Sequence, residues 1–567
     1  MPRRPPAPLL LLLLAAVLAC LAPAGCSDHG AKLDAFFVRG GLAVTGGDGA
    51  IQVFQGDKQV FPPPAGDRRR NLLRLDGGRR LAFFPWRPSE SYRLKVGKQE
   101  RRLTAPQRPS PLLVTTFDLE SVRPWSGDRG GAPDTEVRFS PDGSLLGMGS
   151  FKGYLRIGRV PTGQVLLKRK IAEGMVKRLA WGKVGGKLAL YVGEQSPDCF
   201  LYCLEAPSGK EIWRRRLADD LGTGRLGADQ RDAIYNLPGV YYLRSLPGGD
   251  LLVAATFGRF VGEGYRHDCR IYRLDGRDGS VKWRWPRDMN FPFGITWVGA
   301  SQAGDTLAII SFNSFSDEKR RGGFKAGTLY CLDGRSGKLR WDYTVPPLAP
   351  YYRRVGAWQG VAVSPDGNWI VLGLNDGRGL LFDARPGSDA ARRLVWTANV
   401  GTPVLVGDIP VAAPLSYAAI GGGTVYFATP GTTIPSGRSR ARARRPAPHP
   451  FANSLFAYSL GGGQLWQYRA EGSCQGIFLS RDGRLVATAV SQDRSRQTVD
   501  QYGLTLFDAK APGGAADKLI YHYATEGPVF FQADISADRR FLALTESAYS
   551  PDQGKTVYGA YRVHVIH

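Results

Sequence analysis

Cysteine and histidine are the side chains that most often carry chemistry, and here their spacing favours no catalytic or metal site. No two of the seven cysteines are adjacent, and no Cys-x-x-Cys-His haem motif occurs. Neither a Gly-x-Ser-x-Gly nucleophile motif nor a phosphate-binding Gly-rich loop is present. Metal-ligand spacing is also absent from the six histidines, which are His29, His267, His449, His522, His564 and His567. The sequence therefore predicts no catalytic residue, no metal and no cofactor.

Arginine and aromatic residues form two clusters that favour binding. The stretch from Pro430 to Asn453 carries five arginines and no acidic residue, which favours an anionic lipid or glycan; a solvated insertion is the alternative. The stretch from Val345 to Ala357 combines tyrosine with arginine, as binding hot spots do, although such residues also anchor loops. The candidate binding residues are Arg438, Arg440, Arg442, Arg444, Arg445, Tyr351, Tyr352, Arg353 and Arg354.

The N-terminus indicates export. Arg3 and Arg4 precede the leucine run Leu9–Leu14, and this apolar segment is too short to span a bilayer. The following Pro23-Ala24-Gly25-Cys26 resembles a bacterial lipobox, except that Pro23 stands where leucine is usual. The resemblance implies a lipid on Cys26 and an outer-membrane location facing the periplasm or the cell surface. Lipidation at Cys20 and an ordinary secretory signal are the alternatives.

Composition and charge limit the class of protein. Hydrophobic residues make up 43% of the 567 residues and glycine contributes 72, so a packed, turn-rich chain is expected and a largely disordered one is excluded. The formal net charge is +25. Outside the cytoplasm this charge favours anionic lipid, glycan or an acidic protein over nucleic acid, unless it reflects coding bias alone.

Two sequence units recur along the chain. The first is a tight turn before an apolar run, as at Ser140-Pro141-Asp142-Gly143 and Ser364-Pro365-Asp366-Gly367; an Asp-Gly turn between apolar runs is typical of a β-hairpin. Eight such turns start near residues 140, 185, 247, 303, 364, 421, 480 and 536. The second unit is a strand, an acidic residue, a Gly-containing turn and then a tryptophan four residues after the glycine, found at Trp213, Trp283, Trp341 and Trp466.

These units resemble the repeats of the pyrroloquinoline-quinone-type (quinoprotein alcohol dehydrogenase-like) propellers, and some turns also resemble WD40-type blades. The resemblance covers roughly residues 110 to 567. It implies an all-β propeller in which those four tryptophans pack across neighbouring blades, and the eight turns predict an eight-bladed β-propeller. Dehydrogenases of this family carry a vicinal disulfide and acidic Ca²⁺ ligands. Adjacent cysteines are missing here, so redox catalysis is not expected.

The domain boundaries follow from these patterns. We predict a lipoprotein signal peptide over residues 1–25, a tether over 26–32, a small domain similar to immunoglobulin-like or fibronectin-like β-sandwiches over 33–104, a linker over 105–111 and the propeller over 112–567. For residues 33–104 the alternative is a set of extra strands packed on the propeller. Four strand-like runs are expected in the small domain, at Ala35–Thr45, Ala50–Phe61, Asn71–Phe84 and Tyr92–Leu103. The last repeat is short, so the run at 112–117 is expected to supply its outer strand and close the ring.

Loop length suggests where the propeller binds. Both short turns of each repeat fall on one face, whereas the long connections, including 257–268, 345–357 and 430–453, fall on the other. Binding residues concentrate on loops carried by a rigid scaffold. We therefore expect a monomeric, non-enzymatic envelope scaffold that binds a protein partner through its long-loop face. The alternatives are a quinone-dependent or carbohydrate-processing enzyme that uses the central channel, and a binder of anionic glycan or lipopolysaccharide.

Overall fold

The structure is a computed structural model. It describes residues 33–38, 41–62, 72–74, 80–84, 86–87, 89–105, 113–126, 133–160, 162–226, 234–261, 264–311, 322–348, 355–389, 392–406, 408–434, 447–493, 502–552 and 554–567. Within these residues the chain is almost entirely β-structure, as the sequence predicted. The short helices are α1 (Ala218–Leu221), α2 (Ala515–Lys518) and a 3₁₀ turn at Ile234–Asn236.

The first eight strands form two four-stranded antiparallel sheets. One has the order β1-β2-β6-β5, with β1 at Asp34–Val38, β2 at Gly41–Thr45, β5 at Leu72–Arg74 and β6 at Arg80–Phe83. The other has the order β4-β3-β7-β8, with β3 at Ile51–Gln55, β4 at Lys58–Phe61, β7 at Ser91–Val96 and β8 at Gln99–Thr104. Both sheets contribute to one core, which contains Leu42, Val53 and Leu94.

Each of the four expected runs in this region contains two strands, so the expectation of one strand per run was wrong. The run from Ala50 to Phe61, for example, turns at Gly56, whose φ is +58°. Glycine accepts this left-handed conformation without a steric cost, and a hairpin forms with Gln55 opposite Lys58. The turn residues Gly56 and Asp57 separate the two apolar stretches of this run in the sequence.

The remaining strands form eight successive four-stranded antiparallel sheets, numbered here in chain order. Sheet 1 contains β10 (Val137–Phe139), β11 (Leu145–Gly149), β12 (Tyr154–Arg159) and β13 (Val165–Lys170). Sheet 2 contains β14 (Met175–Val184), β15 (Lys187–Gln195), β16 (Phe200–Glu205) and β17 (Lys210–Arg216). Sheet 3 contains β18 (Gly239–Ser245), β19 (Asp250–Val261), β20 (Gly264–Asp275) and β21 (Val281–Trp285). Sheets 2 and 3 are joined by one bridge, from Gln195 to Gly239.

Sheet 4 contains β22 (Gly299–Ala300), β23 (Thr306–Ile310), β24 (Thr328–Asp333) and β25 (Leu339–Thr344). Sheet 5 contains β26 (Val361–Val363), β27 (Trp369–Gly373), β28 (Arg378–Asp383) and β29 (Leu394–Asn399). A separate hairpin follows, formed by β30 (Val404–Val406) and β31 (Ile409–Val411).

Sheet 6 contains β32 (Tyr417–Gly421), β33 (Thr424–Thr429), β36 (Ser454–Ser459) and β37 (Gln464–Arg469), with the short pair β34 (Thr433–Ile434) and β35 (Ala447–Pro448) between its second and third strands. Sheet 7 contains β38 (Ser473–Leu479), β39 (Leu485–Ser491), β40 (Tyr502–Asp508) and β41 (Leu519–Thr525). Sheet 8 contains β42 (Val529–Ile535), β43 (Leu542–Glu546), β44 (Arg562–Ile566) and, as its fourth strand, β9 (Leu113–Asp118).

The sheets are arranged as a propeller. First strands of successive sheets contact one another, as β10 does with β14 and β38 with β42, and β42 contacts β10 again. Apolar side chains fill the space between neighbouring sheets; the layer between sheets 1 and 2, for instance, contains Ile157, Leu179 and Leu190. The core is therefore a set of layers between sheets around a central axis.

The turn after each first strand is built by its own sequence. In the first sheet the Ser140 hydroxyl donates to Asp142 Oδ1 at 2.6 Å, and the Leu145 N–H donates to Ser140 Oγ at 2.9 Å. The same pair of bonds recurs in the turns that start at Ser364, Ser480 and Ser536. Antiparallel order places these turns and the third-to-fourth turns on one side of the ring, the short-turn face. The other connections lie on the opposite side, the long-loop face.

Candidate functional site

The tryptophans of the second repeat unit contact the sheet that follows their own. Trp213 Nε1 donates to the Gly276 carbonyl at 3.0 Å, and Trp283 Nε1 donates to the Gly334 carbonyl at 3.1 Å. A Cβ atom on Gly279 would lie 2.8 Å from the Trp213 ring. The indole of one sheet thus lies against the third-to-fourth turn of the next sheet. Only glycine at this position of the turn leaves room for the ring.

The other two tryptophans contact the next sheet through aromatic rings. Trp466 lies 5.4 Å from Phe507, measured between ring centroids, and Trp341 lies 6.2 Å from Phe382. The Arg393 guanidinium lies 5.0 Å from the Trp341 ring. The Nε1 of Trp341 has no hydrogen-bond partner among the described residues. The third-to-fourth turn of the next sheet is longer in these two cases. For Trp341, a cation–π contact with Arg393 takes the place of the hydrogen bond to a carbonyl oxygen.

The remaining residues predicted from the sequence lie outside the described residues. They are the lipidation candidate Cys26 and the binding candidates Tyr351, Tyr352, Arg353, Arg354, Arg438, Arg440, Arg442, Arg444 and Arg445. Their roles stay predictions. The described part of the long-loop face nevertheless carries a feature that the sequence analysis missed.

Large apolar side chains are exposed on the long-loop face. The most exposed are Phe260, at 70%, and Leu405, at 69%. Within the described chain, none of the exposed large apolar residues lies in a connection of the short-turn face, and the rest stand singly on fourth strands. Those on the long-loop face are Leu226, Phe260, Val261, Leu348, Trp358, Leu405, Ile409 and Val557. Groups of exposed apolar residues mark interaction surfaces.

Phe260 and Val261 lie at the tip of a long ribbon. The sequence predicted a loop at residues 257–268, but β19 and β20 continue as paired strands through this stretch, with Phe260 opposite Tyr265. That expectation was wrong because cross-strand contacts extend the sheet, namely the ring pair of Phe260 with Tyr265 and the ion pair of Arg259 with Asp268. The ribbon contacts α1 and the 3₁₀ turn. It therefore presents the Phe260 side chain on a paired backbone.

Aromatic contacts and ion pairs stabilise the two strands of the ribbon. Phe260 and Tyr265 lie 4.9 Å apart, and Tyr265 and His267 lie 5.0 Å apart, measured between ring centroids. Arg259 and Arg266 both contact Asp268, at 3.0 Å and 2.8 Å. Burial lowers the pKa of His267 to about 4, against the attraction of Asp268, so this imidazole is neutral at physiological pH.

Leu405 and Ile409 lie on the separate hairpin of β30 and β31. Every residue of these two strands is apolar. The hairpin is attached to sheet 6 by the buried His449, whose Nε2 lies 2.9 Å from the Val411 carbonyl oxygen. Two apolar tips, on the ribbon and on the hairpin, are thus presented on the same face. Burial of such exposed apolar side chains against a partner is favourable, because it removes apolar surface from water.

The central channel is a second candidate site. It contains a cavity of about 670 Å³ lined by first strands of seven sheets. Its deep end includes the buried side chains of Glu136, Tyr417 and Gln532. Its mouth includes Pro247, Pro365 and Gly483 of the short turns. The cavity therefore opens on the face opposite to the apolar tips.

A buried ionic network lies at the deep end of the channel. Arg178 contacts Asp134 at 2.8 Å, and Lys177 contacts it at 3.1 Å. Gln532 of sheet 8 donates to Asp134 at 3.1 Å. Burial opposes ionisation of Asp134, but the charges of Arg178 and Lys177 outweigh it and lower its pKa to about 2. Burial lowers the pKa of Lys177 to about 8. The network joins sheets 1, 2 and 8 near the axis.

The described residues contain no group of three or more His, Cys, Asp or Glu residues that is placed to hold a metal ion. The five cysteines within them are buried and unpaired. Burial raises the pKa of Cys203, Cys269, Cys331 and Cys474 to about 12. These thiols are therefore protonated at physiological pH and pack as small apolar groups.

Among the described residues, no helix has the length and apolar character needed to cross a membrane.

Comparison with known proteins gives one family match and several structural ones. Residues 152–429 match a family of PQQ-type repeats described as "Outer membrane protein assembly factor BamB". BamB from Moraxella catarrhalis is a similar solved structure, with 12% identity, a TM-score of 0.43, and coverage of 80% of this chain and 100% of that chain. The β-propeller domain of Myceliophteria_thermophila Cps50 (Swd1) has 12% identity and a TM-score of 0.39, with coverage of 80% and 99%. No curated protein matches the chain.

The family match and the sheets of the chain agree with each other. The matched residues run from sheet 1 to the second strand of sheet 6. They contain the tryptophans of sheets 2, 3 and 4, which contact the sheets that follow. Residues 152–429, which lie within this all-β propeller, therefore match the model of that PQQ-type repeat family.

Proposed function

We propose that this chain is a non-enzymatic, lipid-anchored scaffold of the cell envelope that binds protein partners through its long-loop face. The proposal places a lipid on Cys26 and the propeller, as a monomer, at the outer membrane. It is supported by the name of the matched family, which refers to outer-membrane protein assembly, and by the export signal in the sequence.

The observation that carries the proposal is the placement of the exposed apolar side chains. Phe260, Leu405 and Ile409 are each more than half exposed. Exposing them costs solvation free energy that burial against a partner recovers, at about 25 cal/mol per Å² of apolar surface. Because they stand on a paired ribbon and an attached hairpin, little conformational entropy is lost when a partner binds. A protein surface with complementary apolar pockets fits this arrangement.

The test compares two matched sets of variants. The first set replaces Phe260, Leu405 and Ile409 with serine. The control set replaces Ile212, Leu339 and Leu465, which are exposed apolar residues on fourth strands. Partners are recovered by chemical crosslinking in intact envelopes. We expect the first set to lose at least about tenfold of the crosslinked partner, equivalent to about 1.4 kcal/mol, and the control set to retain it. Equal recovery from both sets would contradict the proposal.

The anionic-ligand alternative is tested separately. Serine replaces Arg438, Arg440, Arg442, Arg444 and Arg445 in one variant, and alanine replaces Arg353 and Arg354 in another. Retention on anionic liposomes and on lipopolysaccharide is measured at low and at physiological salt. Loss in the first variant with strong salt dependence would favour lipid or glycan binding, since physiological salt screens interactions between exposed charges that are more than about 8 Å apart. Salt-insensitive retention in both would exclude that alternative.

A further inference from the structure

One ring of residues lines the mouth of the central cavity. These residues stand two positions before the start of the first turn in their sheets, so the propeller repeat places them at one level around the axis. All of them line the cavity: Arg138, Arg244, Gly299, Ala362, Phe478 and Asp534. Sheets 8, 1 and 3 contribute charged residues to this ring, whereas sheets 4, 5 and 7 contribute glycine, alanine and phenylalanine. The mouth thus has a charged side and an apolar side.

The cavity is large enough for an organic ligand. Its volume of about 670 Å³ falls within the range of small-molecule sites, which is roughly 300–1,000 Å³. Small residues on the apolar side leave this space open, and Ala362 and Phe478 are partly exposed to it. The deep end leads to the buried network of Asp134 and Arg178. A ligand therefore enters from the short-turn face, away from the apolar tips of the proposed function.

The two arginines of the ring, Arg138 and Arg244, differ in their ion pairs. Arg138 contacts Glu136 at 3.0 Å and Asp534 at 3.3 Å. Arg244 donates only to carbonyl oxygens, those of Ala300, Ser301 and Gln302, at 3.0 to 3.3 Å, and forms no ion pair with a carboxylate among the described residues. A guanidinium is always charged in proteins. Arg244 is therefore a partly exposed cation without a counterion beside an apolar wall.

We propose that this cavity binds a small amphiphilic monoanion, namely a carboxylate on an apolar body. The carboxylate pairs with Arg244 and accepts hydrogen bonds from its remaining N–H groups, and the apolar body lies against Ala362 and Phe478. Arg138, which is already paired with Glu136 and Asp534, is not free to hold a second negative group. The site therefore selects a monocarboxylate over a dicarboxylate, and over an uncharged analogue that cannot pair with Arg244. This assignment is independent of partner binding on the other face.

The test uses decanoate as the probe and the purified full chain, with binding measured by calorimetry. 1-Decanol lacks the charge and decanedioate adds a second one. Arg244→Gln removes the cation, Arg244→Lys keeps it, and Ala362→Leu fills the cavity. Arg215→Gln is the matched control. Arg215 lies on a fourth strand, away from the cavity, and it also donates to a carbonyl oxygen, that of Gly279. Thermal melting confirms that each variant is folded.

We expect saturable one-to-one binding of decanoate to the wild type and to Arg215→Gln, at least about tenfold weaker binding to Arg244→Gln, partial recovery in Arg244→Lys and loss in Ala362→Leu. 1-Decanol and decanedioate should bind at least about tenfold more weakly than decanoate. The proposal is overturned if decanoate shows no saturable binding, or if Arg244→Gln and Ala362→Leu bind it as the wild type does. Retained partner crosslinking in Ala362→Leu would show that the two sites act separately.

Discussion

The indole N–H of Trp213 donates to the carbonyl oxygen of Gly276 across the boundary between sheets 2 and 3, at 3.0 Å. The same relationship joins Trp283 to Gly334 and Trp396 to Leu460 in later sheets. Each bond fixes the outer edge of one sheet to a turn of the next. Neighbouring sheets are therefore coupled at their outer edges as well as along the axis.

This coupling predicts the effect of removing the indole. Trp213→Leu should lower the free energy of unfolding by about 2 kcal/mol, because a partly buried ring and its hydrogen bond are both lost. Gly279→Ala should also destabilise, since its φ of +73° and the nearby Trp213 ring leave no room for a Cβ atom. Urea denaturation measures both. Ile212→Ala, at the exposed neighbouring position, is the control, and an equal loss in that variant would contradict the docking role.

Closure of the ring gives a second prediction. Phe117 of β9 pairs with Val563 in sheet 8, and its ring lies against Gly158 of sheet 1, where a Cβ atom would approach within 2.5 Å. Phe117→Ala should therefore cost about 3 kcal/mol and lower the melting temperature. Thr116→Ala, at an exposed position of the same strand, should not. Equal melting temperatures for the two variants would show that β9 does not close the ring in solution.

Glu194 should make stability depend on pH. Burial raises its pKa to about 7 from an ordinary 4.5, although Ser196, Phe200 and Tyr202 donate hydrogen bonds to it. The folded state thus holds the proton more tightly than the unfolded state. The resulting stability is present below pH 4.5 and is lost as the pH rises to 7, by at most about 3 kcal/mol.

The measurement is urea denaturation between pH 4.5 and 8, compared with Glu194→Gln. The difference in stability between the two proteins should shift in favour of the variant as the pH rises. A difference that stays constant across this range would mean that Glu194 titrates normally in the folded chain.

The lipid anchor is tested by substitution at two cysteines. Cys26→Ala should move the protein from the membrane fraction to the soluble envelope fraction and remove the acyl mass from the mature N-terminus. Cys20→Ala should leave both unchanged, because it alters only the alternative site. An acylated, membrane-bound Cys26→Ala variant would contradict the assignment of the lipid to Cys26.

The features that were predictable from the sequence are those that a few adjacent residues determine. Ser140 and Asp142 bond to each other and accept from the backbone N–H groups of Leu145 and Ser144, so their spacing alone indicates the turn. Trp213 likewise follows its glycine at a fixed distance in the sequence. The propeller was predictable because such local units repeat.

The features that were missed depend on partners far apart in the chain. Asp134 meets Arg178 and Gln532 only once the ring has formed, and no spacing in the sequence indicates this. The apolar cavity wall is similarly assembled from one or two residues per sheet. The hairpin of β30 and β31 had a local signal, since Gly407-Asp408 separates two apolar runs, and it would have pointed to the exposed Leu405 and Ile409.

A residue-by-residue crosslinking map tests the central claim, that partners bind the long-loop face, most directly. A photo-crosslinking amino acid replaces Phe260, Leu405 or Ile409 on that face, and Ile212 or Leu465 on fourth strands. After irradiation of intact envelopes, the three long-loop positions should yield the same protein partner, and the two fourth-strand positions should not. Crosslinks of equal yield at both sets, or at the fourth strands alone, would contradict the account.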